Sequence, residues 1–425
     1  MSVLADLLSG LFDRRRVDPL PVDGDDRRAP SELARALMNA PGEDAQRDLA
    51  ARLLARYGEQ DDAGKRALFL SLARDMDVDR DAVRDAVDAY ARAPGRDTYR
   101  AFAAAAEPPR QDLIRRINRV TDATGRIVDI RADLRRLIAE GGPDAPALSA
   151  LDEDFRHLLS SWFNRGFLVL RPITWETSAA LLEKIIQYEA VHDIGGWSDL
   201  RRRLHPPDRR CFAFFHPAMP DEPLIFVEIA LTRGTPDSVQ DILSPDRTPI
   251  PAAEADTACF YSISNCQPGL SGISFGNSLI KQVVADLRVA LPGLSTFVTL
   301  SPVPGLVRWA EAEGLPAPDR GDAVRRLAAR YLMRAKTTSG EPRDPVARFH
   351  LGNGARLHAI HADADTTSRG RAQSWGAMVN YLYDRPEIAG NHRRFSETGE
   401  IAASASVRSL VADADARPPK AEEVR

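Results

Sequence analysis

The feature that most limits the folds open to this chain is a change of hydrophobic period near Trp162. Upstream, from about Pro30 to Ser160, apolar residues recur at three- and four-residue spacing. Leu33, Leu37 and Met38 form one set, Leu49, Leu53, Leu54 and Tyr57 another, and Leu113, Ile114, Ile117 and Val120 a third. That period places them on one face of an α-helix. Pro30, Gly58, Pro94-Gly95, Pro108-Pro109 and Gly141-Gly142-Pro143 punctuate the pattern, so an antiparallel helical bundle is expected. Its charges read as solvated helix faces, and no catalytic constellation stands out in it. Downstream, short apolar runs replace the helical period. Strands are expected at Phe167–Leu170, Cys211–Phe215, Leu224–Leu231, Thr257–Ile263 and Thr296–Leu300. Helices are expected at Ser178–His192, Ser278–Ala290 and Asp322–Lys336, with a surface loop over Thr337–Asp344. Strands interleaved with helices argue for an α/β or α+β domain. The boundary is drawn between residues 1–165, all helical, and residues 166–425, mixed.

Charge and cysteine content narrow the function classes. The 425 residues carry 57 basic and 61 acidic side chains, a formal net charge of -4. That balance gives no footprint for nucleic acid, though a local basic site can still hold an anionic small ligand. Three cysteines, Cys211, Cys259 and Cys266, with no Cys-x-x-Cys pair, fit a reducing cytoplasm rather than a disulfide framework. Cys211 and Cys259 fall on expected strands and read as small core hydrophobes. Cys266 falls in a loop, where exposure to oxidants is expected. No zinc-ligand spacing is present among the eight histidines, and His216, His358 and His361 read as structural or surface residues. No apolar run approaches a membrane span. Arg14, Arg15 and Arg16 follow the short apolar N-terminal stretch, the reverse of a secretory signal, and Met1–Arg16 reads as a helical or frayed tail. The C-terminal Glu-Glu-Val-Arg is not a peroxisomal address.

The segment Tyr261–Lys281 is the most informative stretch. An expected strand enters a loop containing Gly269, Gly272 and Gly276, and an amphipathic helix leaves it. Glycine permits close backbone approach, and a helix start offers unpartnered N–H groups and a dipole that favours anions. Together these suit a pyrophosphate. The loop is neither the Gly-x-x-x-x-Gly-Lys-Ser/Thr phosphate loop nor the Gly-x-Gly-x-x-Gly fingerprint. It resembles the coenzyme A loop of Gcn5-related N-acetyltransferases, with Ser271 where that family has Gln or Arg and Ser274 at its first Gly.

Longer motifs carry a more specific resemblance. Gly272–Val284 is followed by Leu291–Gly305 with its Leu-Ser-Pro-Val-Pro-Gly, by Asp344–Ala355 with Arg-Phe-His-Leu-Gly-Asn-Gly, and by Met378–Asp384. Upstream, Trp162–Phe167, Ile185–His192 and Glu222–Thr232 complete an order and spacing similar to malonyl-CoA decarboxylases over roughly 160–410. The resemblance implies a helical N-terminal domain used in oligomerisation and a catalytic domain of acetyltransferase-like fold with a mixed sheet. It implies Ser301 and His350 as the catalytic pair, and Ser271, Gly272, Ile273, Ser274, Phe275, Gly276 and Asn277 as the coenzyme A loop. Ser274 stands where some members carry a Glu implicated in activity, and Tyr383 matches a Tyr that supports the active site. His361-Ala-Asp-Ala-Asp365 departs from the family's Asn-Trp-hydrophobic-Ala-Asp.

The chemistry so implied suits these residue types. Loss of CO2 from malonyl-CoA leaves electrons that the thioester holds as an enolate, so no metal or second cofactor is expected. The protein must set the breaking C–C bond perpendicular to the thioester plane, place donors at the thioester oxygen and protonate the α-carbon. A hydroxyl and a neutral imidazole can do the last two. Which of Ser301 and His350 delivers the proton stays open at this level. So do an acyl-CoA-dependent N-acyltransferase, a decarboxylase of a related malonyl thioester, and a non-catalytic malonyl-CoA sensor. The partners expected are malonyl-CoA and further copies of the chain, as dimer or tetramer.

Overall fold

The computed structural model describes residues 27–273, 276–319 and 321–416. The N-terminal tail read above as helical or frayed lies outside them. Two compact units divide the chain.

The first unit holds eight helices among the described residues. They are α1 (Pro30–Asn39), α2 (Glu43–Gly58), α3 (Asp62–Asp75), α4 (Arg80–Arg92), α5 (Arg96–Ala106), α6 (Pro109–Ile117), α7 (Ala123–Ala139) and α8 (Ala145–Trp162). The punctuation in the sequence sets their ends. Asp61 and Asp79 cap α3 and α4 by accepting N–H groups of the first turn, and Pro109 opens α6, where its missing N–H costs nothing. The periodic residues supply the core: Leu33, Leu37, Leu53, Leu54, Leu113, Ile114, Leu134 and Leu148 are all buried. Each contributes roughly 1.5–3 kcal/mol by leaving water. Two segments from later in the chain belong to this unit. They are Phe215–Leu224, at the tip of a strand pair, and residues 267–273, which leave the sheet after its fourth strand.

The second unit is built on an eight-stranded sheet: β1 (Val169–Ile173), β2 (Arg209–His216), β3 (Met219–Thr232), β4 (Thr257–Asn265), β5 (Thr296–Thr299), β6 (Ser301–Pro302), β7 (Arg356–His361) and β8 (Met378–Leu382). Spatial order is β1-β2-β3-β4-β5-β8-β6, with β7 also on β8. β3 and β4 are antiparallel, β4 and β5 parallel, so the sheet is mixed as expected. The run of β3 from Leu224 to Ala230, apolar but for Glu228, is buried because both faces are covered, and Glu228 is paired there with Arg203 at 3.2 Å. On one face Ala230, Cys259, Tyr261, Val298, Leu300 and Met378 pack together.

Boundaries moved for local reasons. Phe167 lies in a 3-10 turn, Arg165–Phe167, because Asn164 caps it by accepting the Gly166 N–H, and the strand starts at Val169. The helix read from Ser178 to His192 ends at Tyr188, where the Glu189 carboxylate turns back to accept the Val191 and His192 N–H groups at 2.9 and 2.8 Å. Cys266 is buried, not exposed, with its Sγ turned to Ser264 O at 3.7 Å. No helix of the described residues is long and apolar enough to cross a membrane.

Candidate active site

β5 pairs β4 over four residues, Thr296–Thr299 against Thr257–Phe260, and Leu300 N–H adds one more bond to Phe260 O. β4 runs on to Asn265, but the other chain leaves it after Leu300 and pairs with β8, Ser301 opposite Val379. Side chains alternate across a strand, so with Leu300 in the apolar cluster, Thr299 and Ser301 share the opposite face.

His350 comes to that face from a helix, Pro345–Gly352. Asp344 caps it by accepting the Ala347 N–H at 2.9 Å, and burial pushes its carboxyl up to about 6. The helix ends at Asn353, and Gly354 turns the chain at φ +86°, a conformation that favours glycine. A Cβ there would also stand 2.2 Å from the Ile388 carbonyl oxygen.

The side chains then form a line. His350 Nε2 is 3.2 Å from Ser301 Oγ, and His350 Nδ1 is 2.8 Å from Tyr383 Oη. The Ser301 hydroxyl donates to Thr299 Oγ1 at 2.9 Å, and Thr299 Oγ1 also accepts the Tyr381 N–H at 3.2 Å. With the Ser301 proton on Thr299, the remaining arrangement is His350 Nε2–H donating to Ser301 and Tyr383 O–H donating to Nδ1. Tyr381 lies flat against the imidazole, ring centroids 4.5 Å apart at 25°. The Asn380 amide donates to Thr299 O at 2.8 Å and so pins the strand end. His350 is 2% exposed, and loss of hydration pushes its imidazole down to about 3. Burial thus favours the neutral ring. Tyr383, buried too, is pushed well above the usual phenol range by the same cause. It also lines a cleft of about 730 Å³ with Arg288, His358 and Arg385.

The structure thus brings Ser301, His350 and Tyr383 together. Thr299 and Tyr381 join them, and neither was singled out in the sequence. Thr299 had a legible signal, two residues before Ser301 on one strand face. Tyr381 had none, because its role depends on which ring it covers. His361 sits on β7 and bonds Asn380, and His216 packs on Phe163 and Trp162 O, so both have packing roles.

The glycine loop is described only in part. Pro268–Leu270 form a 3-10 turn, Ser271 and Gly272 are exposed, and Ile273 N–H donates to Leu270 O. Ser274 and Phe275 lie outside the described residues. Gly276 and Asn277 open the helix Gly276–Ala290. Gly272 has φ +80° with open space where a Cβ would be, so conformation rather than crowding calls for glycine there.

Comparison with known proteins adds to this geometry. The model of the malonyl-CoA decarboxylase C-terminal domain matches residues 166–321 and 317–421, and that of the N-terminal domain matches 76–163. The chain is 34% identical over 353 residues to the mitochondrial malonyl-CoA decarboxylase of Anser anser anser, spanning 72% of this chain and 69% of the relative. Crystal structures of malonyl-CoA decarboxylase from Rhodopseudomonas palustris and Agrobacterium vitis are each 45% identical to it, with TM-scores of 0.83 and 0.84. They cover 92% and 90% of this chain and 100% and 99% of their own.

Proposed function

The chain belongs to the malonyl-CoA decarboxylase family, and from that premise we propose that Ser301 and His350 carry its conversion of malonyl-CoA to acetyl-CoA and CO2. The observation behind the assignment is the 3.2 Å contact between Ser301 Oγ and a buried imidazole whose neutral form burial favours.

The bond between the α-carbon and the carboxylate breaks, its electron pair moves into the thioester as an enolate, and CO2 leaves. One proton is then taken up at the α-carbon. Both nitrogens of His350 are occupied, one by Ser301 and one by Tyr383, so the Ser301 hydroxyl is the end of the line that meets the substrate. With substrate in place the Ser301 O–H turns from Thr299 Oγ1 to the enolate carbon and passes its proton there, His350 Nε2–H refills Ser301, and Tyr383 O–H refills Nδ1. After acetyl-CoA leaves, one solvent proton entering at Ser301 reverses the shifts: Ser301 passes a proton to Nε2 as Nδ1–H returns to the Tyr383 oxygen, which restores the starting tautomer and replaces the proton consumed. No imidazolium forms at any step, which suits a ring whose charged form is strongly disfavoured. The thioester is the electron sink, so the chemistry asks for no metal and no second cofactor. Residues 271–277, Ser274 and Phe275 among them, are assigned to coenzyme A.

Purified protein given malonyl-CoA alone should release acetyl-CoA and CO2 in equal amounts. Ser301→Ala and His350→Ala should lower turnover by about 10²–10⁴-fold with KM largely kept. Near-normal turnover in both variants refutes the assignment. Malonyl-CoA that is bound but left intact by the unaltered protein would point to a sensor, or to an acyltransferase without its acceptor.

The same reading places the enzyme in the cytoplasm as a homo-oligomer, with no nucleic acid or membrane partner. Three free, buried thiols support the first point. For the second, α4 and α5 bury no residue of their own and expose Val87, Tyr90 and Tyr99. Such an apolar face suits a second copy of the chain.

A further inference from the structure

Arg131, in the middle of α7, is 0% exposed and sits among the buried apolar residues Ile127, Val128, Ile130 and Leu134. An arginine is almost never so deeply buried unless it is fully paired. Its partners account for every face of the guanidinium. Nε and Nη2 donate to the two oxygens of Asp152 on α8, at 2.8 and 3.2 Å. Nη1 donates to the carbonyl oxygens of Gly269 and Ser271, at 2.7 and 3.0 Å. Arg135, one turn on, shares Asp152 at 3.4 Å, and its Nη2 lies 3.4 Å from Ser271 Oγ. The backbones are close as well. A Cβ on Gly269 would lie 1.9 Å from the Val128 carbonyl oxygen, so only glycine lets this segment reach α7.

We infer that Arg131 is a positioning residue for coenzyme A, acting through the backbone of residues 269–272. The inference rests on the assignment of that segment to the coenzyme. A trans peptide is planar, so its N–H points opposite to its C=O. Drawing the Ser271 carbonyl onto Arg131 therefore turns the Gly272 N–H away from α7. Gly272 is exposed and has a positive φ, with open space beside it. An outward backbone N–H is the donor that a pyrophosphate oxygen takes up. The planar fork explains why arginine serves and lysine would not: one rigid group holds a carboxylate on one edge and two carbonyls on the other. In this account the helical unit shapes residues 269–272, which belong to it, besides any part it has in assembly.

The test compares malonyl-CoA with malonyl-pantetheine, which carries the same reacting group without the pyrophosphate. Removing Arg131 alone strands the Asp152 charge in the interior, so the main variant is Arg131→Met with Asp152→Leu, which removes both charges at similar volume. Arg131→Lys, which keeps the charge but not the fork, is the second. Gly272→Ala perturbs the loop directly. All are checked for cooperative unfolding first. The expected result is a rise in KM for malonyl-CoA of about tenfold or more in the double variant and in Gly272→Ala, with a smaller rise in Arg131→Lys. Both kcat and the KM for malonyl-pantetheine should stay near normal. If Gly272→Ala raises the malonyl-CoA KM and the Arg131 variants do not, the positioning role is refuted and the loop assignment stands. If no variant shifts it, and the unaltered enzyme treats the two substrates alike, the loop assignment itself fails. Equal losses of kcat on both substrates in the Arg131 variants would mean general structural damage and also overturn the inference.

Discussion

Thr299→Val tests how the proton line is aimed. Valine has nearly the shape of threonine and suits a strand, so the change removes one oxygen and little else. That oxygen accepts two hydrogen bonds in a buried site, from Ser301 Oγ at 2.9 Å and from the Tyr381 N–H at 3.2 Å. The Tyr381 amide would be left buried without a partner, which costs about 1–3 kcal/mol. The Ser301 hydroxyl has a second acceptor in reach, His350 Nε2, but only if the ring moves its proton to Nδ1 and donates it to Tyr383. The line then runs toward the cleft instead of toward the substrate. Stability should therefore fall by about 1–3 kcal/mol and kcat by about tenfold or more, while KM changes little. Urea unfolding reads the first, and acetyl-CoA formation at saturating malonyl-CoA the second. Thr299→Ser keeps the oxygen and should restore most of kcat. A valine variant within twofold of normal kcat would refute the assigned direction of the line. A serine variant as slow as valine would show that the methyl group matters, not the acceptor.

Tyr383→Phe leaves His350 Nδ1 without its partner, so kcat should drop about tenfold and stability by about 1–3 kcal/mol, read by the same two assays. His350 also affects stability against acid. Its folded pKa is depressed to about 3 from an unfolded 6.5, so the unfolded chain binds the proton first. The stabilisation is complete above pH 6.5 and is lost as pH falls toward 3. In paired unfolding curves from pH 7 to 4, His350→Gln should lose less stability than the unaltered enzyme, and parallel curves would contradict the burial argument. Gly354→Ala faces both a positive φ and a backbone oxygen 2.2 Å from its Cβ, so it should cost more than about 2 kcal/mol and most of the activity. Tyr99→Glu, on the exposed face of α5, should lower the molecular mass seen by light scattering, and an unchanged mass would remove that face from the proposed interface.

Much of the architecture was legible because hydrophobic period is a local property. Leu33 and Leu37, or Leu53, Leu54 and Tyr57, have to share a helix face whatever lies opposite, and the run in β3 has to be covered on both sides. Ser301 and His350 were singled out through the motifs around them, and nothing local says that 49 residues of chain close to a 3.2 Å contact. The sequence by itself determined the order of helical and mixed units, most of the strands and the residue types able to do the chemistry. Tertiary structure alone decided the rest. It made Cys266 a buried thiol, laid Tyr381 on the imidazole and lowered the His350 pKa by burial. It also brought Arg131 to two carbonyls 138 and 140 positions further along the chain. A helical period that contains an arginine reads as a charged face until the fold shows which carbonyls come to it. Burial, hydrogen-bond partners and pKa belong to the assembled environment, and no window of sequence contains that environment.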